Sequence, residues 1–74
     1  MKLIWSLDEK SCVPLCNVKD FEIRSTAEYK NKTGLKDYIV RVNYTICTGV
    51  SFGCYTADTY AECKTWIENL YKEN

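Results

Sequence analysis

The stretch Val50-Ser51-Phe52-Gly53-Cys54-Tyr55-Thr56-Ala57-Asp58-Thr59-Tyr60-Ala61-Glu62-Cys63-Lys64-Thr65-Trp66-Ile67-Glu68-Asn69-Leu70-Tyr71 decides the fold, because its hydrophobic period changes partway along. Val50, Phe52 and Cys54 alternate with Ser51, Gly53 and Tyr55, which is the period of a strand. From Tyr60 onward the apolar positions fall at spacings of three and four: Tyr60, Cys63, Ile67, Leu70 and Tyr71, with Trp66 beside them, form one helical stripe. Thr59-Tyr60-Ala61-Glu62 between the two patterns has the form of a capping box. Asp58 and Glu62 near its start and Lys72 near its end suit the helix dipole. A strand therefore runs into an amphipathic helix over about 59–72.

Upstream, every clear pattern has period two. Tyr38, Val40, Val42, Tyr44 and Ile46 share one face of the strongest β run in the chain, and Arg41, Asn43 and Thr45 point the other way. Phe21, Ile23, Ala27 and Tyr29 alternate with Glu22, Arg24, Thr26 and Glu28. Leu3-Ile4-Trp5 and Cys12-Val13-Pro14-Leu15-Cys16 read as a first hairpin, with Pro14 unable to donate to a ladder and so confined to an edge. The expected architecture is α+β: a twisted antiparallel β-meander of four to five strands, at about 2–6, 12–16, 20–29, 37–48 and 50–55, with the C-terminal helix on one face and the other face wet. Such a sheet leaves two edges to be managed by Pro14, by charge or by a partner chain.

A chain of 74 residues holds one core, and its formal net charge is zero, with 10 Lys+Arg against 10 Asp+Glu. That balance argues against a strongly basic nucleic-acid binder and against an acidic DNA mimic. Zero His removes the commonest general base and the commonest metal ligand. The apolar opening before Asp8-Glu9-Lys10 is too short for a signal peptide, and no run is long enough to span a membrane. Asn31-Lys32-Thr33 and Asn43-Tyr44-Thr45 are read as chance glycosylation matches. A cytoplasmic location with reduced thiols is expected, in keeping with an odd number of cysteines, 5.

The opening Lys2-Leu3-Ile4-Trp5, the Val18 to Ile23 strand entry, the Tyr38 to Val42 strand and above all Gly53 to Cys63 resemble a group of small uncharacterised proteins of Gram-positive bacteria and their phages. Those proteins run several strands and then a G-x-Y-x-T-x-E-E-A motif into a closing helix. The chain departs from that pattern by inserting Ala57-Asp58 and by its cysteines. The resemblance implies a fold, carries over no catalytic residue, and implies a role as an inhibitor of a bacterial defence enzyme acting by occlusion. The tail from Ala61 to Leu70, with Trp66, is also similar to the closing helix of pleckstrin-homology domains, although the chain is too short for their barrel.

Four sets of residues are candidates for function. Cys12 and Cys16 could form a redox pair, although three residues stand between them where the redox motif has two, or half of a zinc site, with Cys47, Cys54, Cys63 or a carboxylate completing it, or they are ordinary packing thiols. Cys54 and Cys63 fall on expected core faces, and Cys47 falls opposite the Val42/Ile46 face. No His is present to activate a cysteine nucleophile, so no enzyme and no cofactor are expected. Lys30, Lys32 and Lys36, crowded in one loop beside Tyr29 and Tyr38, could grip a nucleic-acid backbone. Finally, six Tyr and two Trp exceed what one helix stripe and one sheet face can absorb. Trp5 and Tyr55, at an edge or on the open face, and Arg41 on that face, are the expected partner-binding residues. The leading expectation is a non-enzymatic protein-binding module that engages a protein partner or another copy of itself through an edge strand; a nucleic-acid module and a zinc-stabilised domain are the alternatives.

Overall fold

A computed structural model describes residues 2–28, 34–44 and 51–72. The α+β class holds: the chain forms β1 (Leu3–Trp5), β2 (Cys12–Pro14), β3 (Val18–Ser25), β4 (Tyr38–Tyr44), β5 (Ser51–Ala57) and a C-terminal helix α1 (Tyr60–Lys72). Among the described residues every strand pair is antiparallel. The five strands among the described residues divide into two sheets instead of running as one meander: β1–β2 is a hairpin of its own, and β3-β4-β5 is a three-stranded sheet with β4 central. Pro14 ends β2, the Leu15 amide turns back to donate to the Lys2 carbonyl, and a 3-10 turn (Leu15–Asn17) redirects the chain before β3.

The helix starts where the cap predicts. The Glu62 amide donates to Thr59 Oγ1 at 3.2 Å, and the Glu62 carboxylate accepts from the Asp58 amide at 3.2 Å. Cys63 and Leu70 are buried and Trp66 and Ile67 half-buried against the sheet, while Tyr60 and Tyr71 stay exposed with one ring edge each, against Tyr38 and Phe21.

The core occupies the space between α1 and the sheet and divides into two linked clusters. Val40, Ala57 and Cys63 form one; Ile4, Val13, Leu15, Val42 and Leu70 form the other, so the hairpin packs its inner residues at the C-terminal end of the helix. Phe21, Cys54 and Trp66 join the two. A two-stranded hairpin is marginal alone, and the burial of Ile4 and Val13 in this shared core is what holds it.

Three local readings of the sequence change. β3 stops at Ser25, short of the expected 29, because residues Thr26–Glu28 form a 3-10 turn. Thr26 is buried instead of facing solvent, its hydroxyl donating to the Lys36 carbonyl at 2.7 Å and its amide to the Asp37 carbonyl at 2.9 Å; Ala27, expected in the core, is exposed. β5 continues past 55 to Ala57 and carries a β-bulge: Val40 pairs with Tyr55 and Arg41 with Gly53, leaving Cys54 as the extra residue. Lastly, the face away from the helix is not wet throughout, since Ile39 on that face is buried beside Leu7 and Leu35. The distal part of the expected β4, the Thr48-Gly49 turn, Val50 and Cys47 lie outside the described residues.

Candidate functional site

The Cys54 bulge determines where Tyr55 sits. Without it, strict alternation from Phe52 would put Tyr55 on the open face, as expected from the sequence. One extra residue resets the alternation, and Tyr55 joins Phe52 on the helix side. There its ring stacks on Trp66 with centroids 4.8 Å apart and planes at 8°. Tyr55 keeps partial exposure along an open groove it lines with Ala61, Glu62, Thr65, Trp66 and Asn69. Its role is first to close the core over β5.

Trp5 lies elsewhere. On β1 the burial alternates, Ile4 inward and Leu3 and Trp5 outward. Leu3 pairs with Pro14 and Trp5 with Cys12 across the hairpin, so the outer face carries Leu3, Trp5, Cys12 and Pro14. Leu3 is 41% and Trp5 48% exposed. The turn that follows is tightly organised: Ser6 donates its hydroxyl to Asp8, Asp8 accepts the Lys10 amide, and the Ser6 oxygen accepts the Ser11 amide. These bonds, the Ser6 hydroxyl first, hold the Asp8 carboxyl below its usual value. Leu7, 45% exposed, leaves this turn to cross the edge of β5, its amide donating to the Gly53 carbonyl at 3.1 Å.

Arg41 stands on the open face, with its guanidinium donating to the Ser51 hydroxyl at 2.7 Å. Around it run Glu22, which it faces across β3, the Arg24–Glu22 ion pair at 2.6 Å, and the Asn43 amide bonded to Asp20. The face carries charged and polar groups of both signs around the buried Ile39. Trp5, Tyr55 and Arg41 therefore occupy three different surfaces: the hairpin's outer face, the strand–helix groove and the open sheet face. Sequence alternation puts Arg41 on the open face and the surplus of aromatic residues singled out Trp5, while Gly53 inside the strand run is the sequence signal that goes with a bulge at Cys54.

The thiols divide by burial. Cys54 donates to the Val40 carbonyl and Cys63 is fully buried; burial pushes the Cys54 thiol up to about 12, and burial followed by the Glu62 charge raises Cys63. Both shifts run opposite to those of an activated nucleophile. Cys12 and Cys16 are exposed and free. Among the described residues no group of three or more Cys, Asp or Glu is placed to hold a metal ion, so the structure brings no third ligand to Cys12 and Cys16. Lys36 is exposed, whereas Lys30 and Lys32 lie outside the described residues. Among the described residues no helix is long and apolar enough to cross a membrane.

The fold and these surfaces define a small α+β domain with two antiparallel sheets and a closing helix. No family model, no curated protein and no solved structure matches the chain.

Proposed function

We propose that the chain is a non-enzymatic protein-binding module whose contact surface is the outer face of the β1–β2 hairpin. The carrying observation is the exposure of Leu3 and Trp5, 41% and 48%, in a domain small enough to need its large apolar side chains for packing. On this short, turn-rigidified hairpin the Trp5 ring, with Leu3 beside it, forms an apolar anchor, and Trp is among the residues on which protein interfaces concentrate their binding energy. The occupant is a folded protein with an apolar pocket for the Trp5 indole, rimmed by basic groups that meet Asp8 and Glu9. The raised thiols of Cys54 and Cys63 support a non-catalytic role, and the exposed free Cys12 and Cys16 support a reducing compartment such as the cytoplasm. A phage- or prophage-encoded inhibitor that blocks a bacterial defence enzyme by occlusion is the biological form that the motif resemblance supplies.

Capture from a lysate of the encoding organism tests this with the tagged chain, its Trp5→Ser and its Lys36→Glu forms, all checked for unchanged circular dichroism. A protein retained by the wild type and by Lys36→Glu, insensitive to nuclease and lost with Trp5→Ser, is the expected result. Equal capture by Trp5→Ser overturns the hairpin surface. Nucleic acid retained with steep salt dependence and lost with Lys36→Glu replaces it with the loop reading.

A further inference from the structure

The hydrogen-bond pattern of the three-stranded sheet can be followed from one end to the other. The Thr26 amide donates to the Asp37 carbonyl, which makes this a pair whose main-chain groups face each other. Pairs alternate along an antiparallel ladder, hence Arg24/Ile39 and Glu22/Arg41 also bond inward, toward β4. Ser25, Ile23 and Phe21 fall at the intervening pairs, and their amides and carbonyls point away from β4. The same alternation carried through β4 sends the Gly53 carbonyl outward from β5, which is where the Leu7 amide meets it. Among the described residues nothing equivalent bonds the outward groups of Phe21, Ile23 and Ser25.

The side chains along this edge are self-complementary. If two β3 strands meet antiparallel about a two-fold axis at Ile23, residue 22 of one copy lies opposite residue 24 of the other. Glu22 then faces Arg24 on both sides of the axis, on the open face where the two already form an ion pair within one chain. Ile23 meets Ile23, and Phe21 meets Ser25, on the helix side. All three outward-pointing residues fall at bonding positions, which allows about six main-chain hydrogen bonds between copies. Shifting the axis by one residue either way sets like charges opposite each other: Glu22 against Glu22 about residue 22, and Arg24 against Arg24 about residue 24. The Tyr71 ring, 56% exposed and edge-on to Phe21 at 6.3 Å, widens the apolar strip on the helix side. Zero net charge sets no repulsion between copies.

We infer that the β3 edge is a homodimer interface, in which a second copy of this chain pairs with β3 about Ile23 to give a continuous six-stranded sheet with both helices on one face. The interface is isologous and short, so association depends on concentration. It is independent of the hairpin surface, which lies on the other sheet.

Sedimentation equilibrium up to about 1 mM tests this with four samples: wild type, Glu22→Arg, Arg24→Glu, and an equimolar mixture of the two variants. The wild type is expected to move from 8.6 kDa toward twice that mass as concentration rises. Each variant alone presents four like charges across the axis and is expected to dimerise at least about tenfold more weakly. In the mixture every 22/24 contact becomes opposite in sign, and dimerisation returns as a heterodimer. Unchanged circular dichroism shows that the variants fold, since both positions are solvent-facing. A wild type that stays monomeric throughout, variants that dimerise as well as the wild type, or a mixture without rescue, each overturns the inference.

Discussion

At the β5 edge, the Gly53 carbonyl accepts a hydrogen bond from Leu7, the Cys54 bulge bends the strand, and the chain leaves at Ala57 toward the Thr59 cap. At the β3 edge, the strand beyond the irregularity between Val18 and Asp20 runs in regular register to Ser25, with its outward groups unpartnered among the described residues. Both are outer strands of one sheet and face the same edge problem. One is closed from within by the hairpin turn. The other carries charges of both signs, Asp20 and Glu22 flanked by Lys19 and Arg24, and about Ile23 its Glu22 and Arg24 fit those of a second copy. A small domain has material to cover one edge, and a symmetric partner is the least costly cover for the second.

The largest effect is expected at the closed edge. A Cβ on Gly53 would stand 2.7 Å from Ile39 Cδ1 and 3.4 Å from Leu7 Cδ1, so Gly53→Val should lower stability by about 2–3 kcal/mol in urea titration and release the Leu7 amide to fast exchange. At the far end of β3, Thr26→Val keeps the shape and removes the hydroxyl that satisfies the Lys36 carbonyl; a cost of about 1–2 kcal/mol is expected, with dimerisation weakened because Ser25 loses its fixed position.

Smaller effects are read from pH. The Cys54 thiol is held neutral in the fold, with its value raised from 9.0 to about 12, so its contribution is complete below pH 9 and is lost as pH rises from there toward 12. Urea midpoints should therefore fall above pH 9, and Cys54→Ala should flatten that slope. Thiol mapping at neutral pH should modify Cys12 and Cys16 well before Cys54 and Cys63. The smallest effect concerns Asp8, whose carboxyl is depressed below 3.8: the stability it adds to the hairpin turn is present above that pH and disappears as pH falls through its lower folded value. Asp8→Asn should remove that acid-side step, so that the urea midpoint no longer falls as pH drops below 3.8.

The helix, its cap and the paired strands were legible because each rests on a local pattern: Thr59 and Glu62 three residues apart, Val40 and Val42 two apart, Cys63, Ile67 and Leu70 at helical spacing. Tyr55 was misplaced because a bulge arises from cross-strand geometry, which period-two counting cannot register. Thr26 and Ala27 exchanged roles for a related reason: polarity put the threonine outside, but its hydroxyl and amide both find carbonyls across the turn, which makes burial tolerable. The buried Ile39 on the open face depends on Leu7, thirty-two positions away in sequence, crossing an edge. As for the candidate surfaces, the surplus of aromatic residues pointed to Trp5, whereas the dimer edge required knowing which groups of β3 point outward.

Amide hydrogen exchange along β3, compared at about 10 µM and about 1 mM protein, tests that edge most directly. The account predicts that Phe21, Ile23 and Ser25 exchange rapidly in dilute solution and slow by about tenfold or more in the concentrated sample, while Glu22 and Arg24, bonded inward to β4, are protected equally in both. Exchange at Ile23 that is fast and identical at the two concentrations would contradict it.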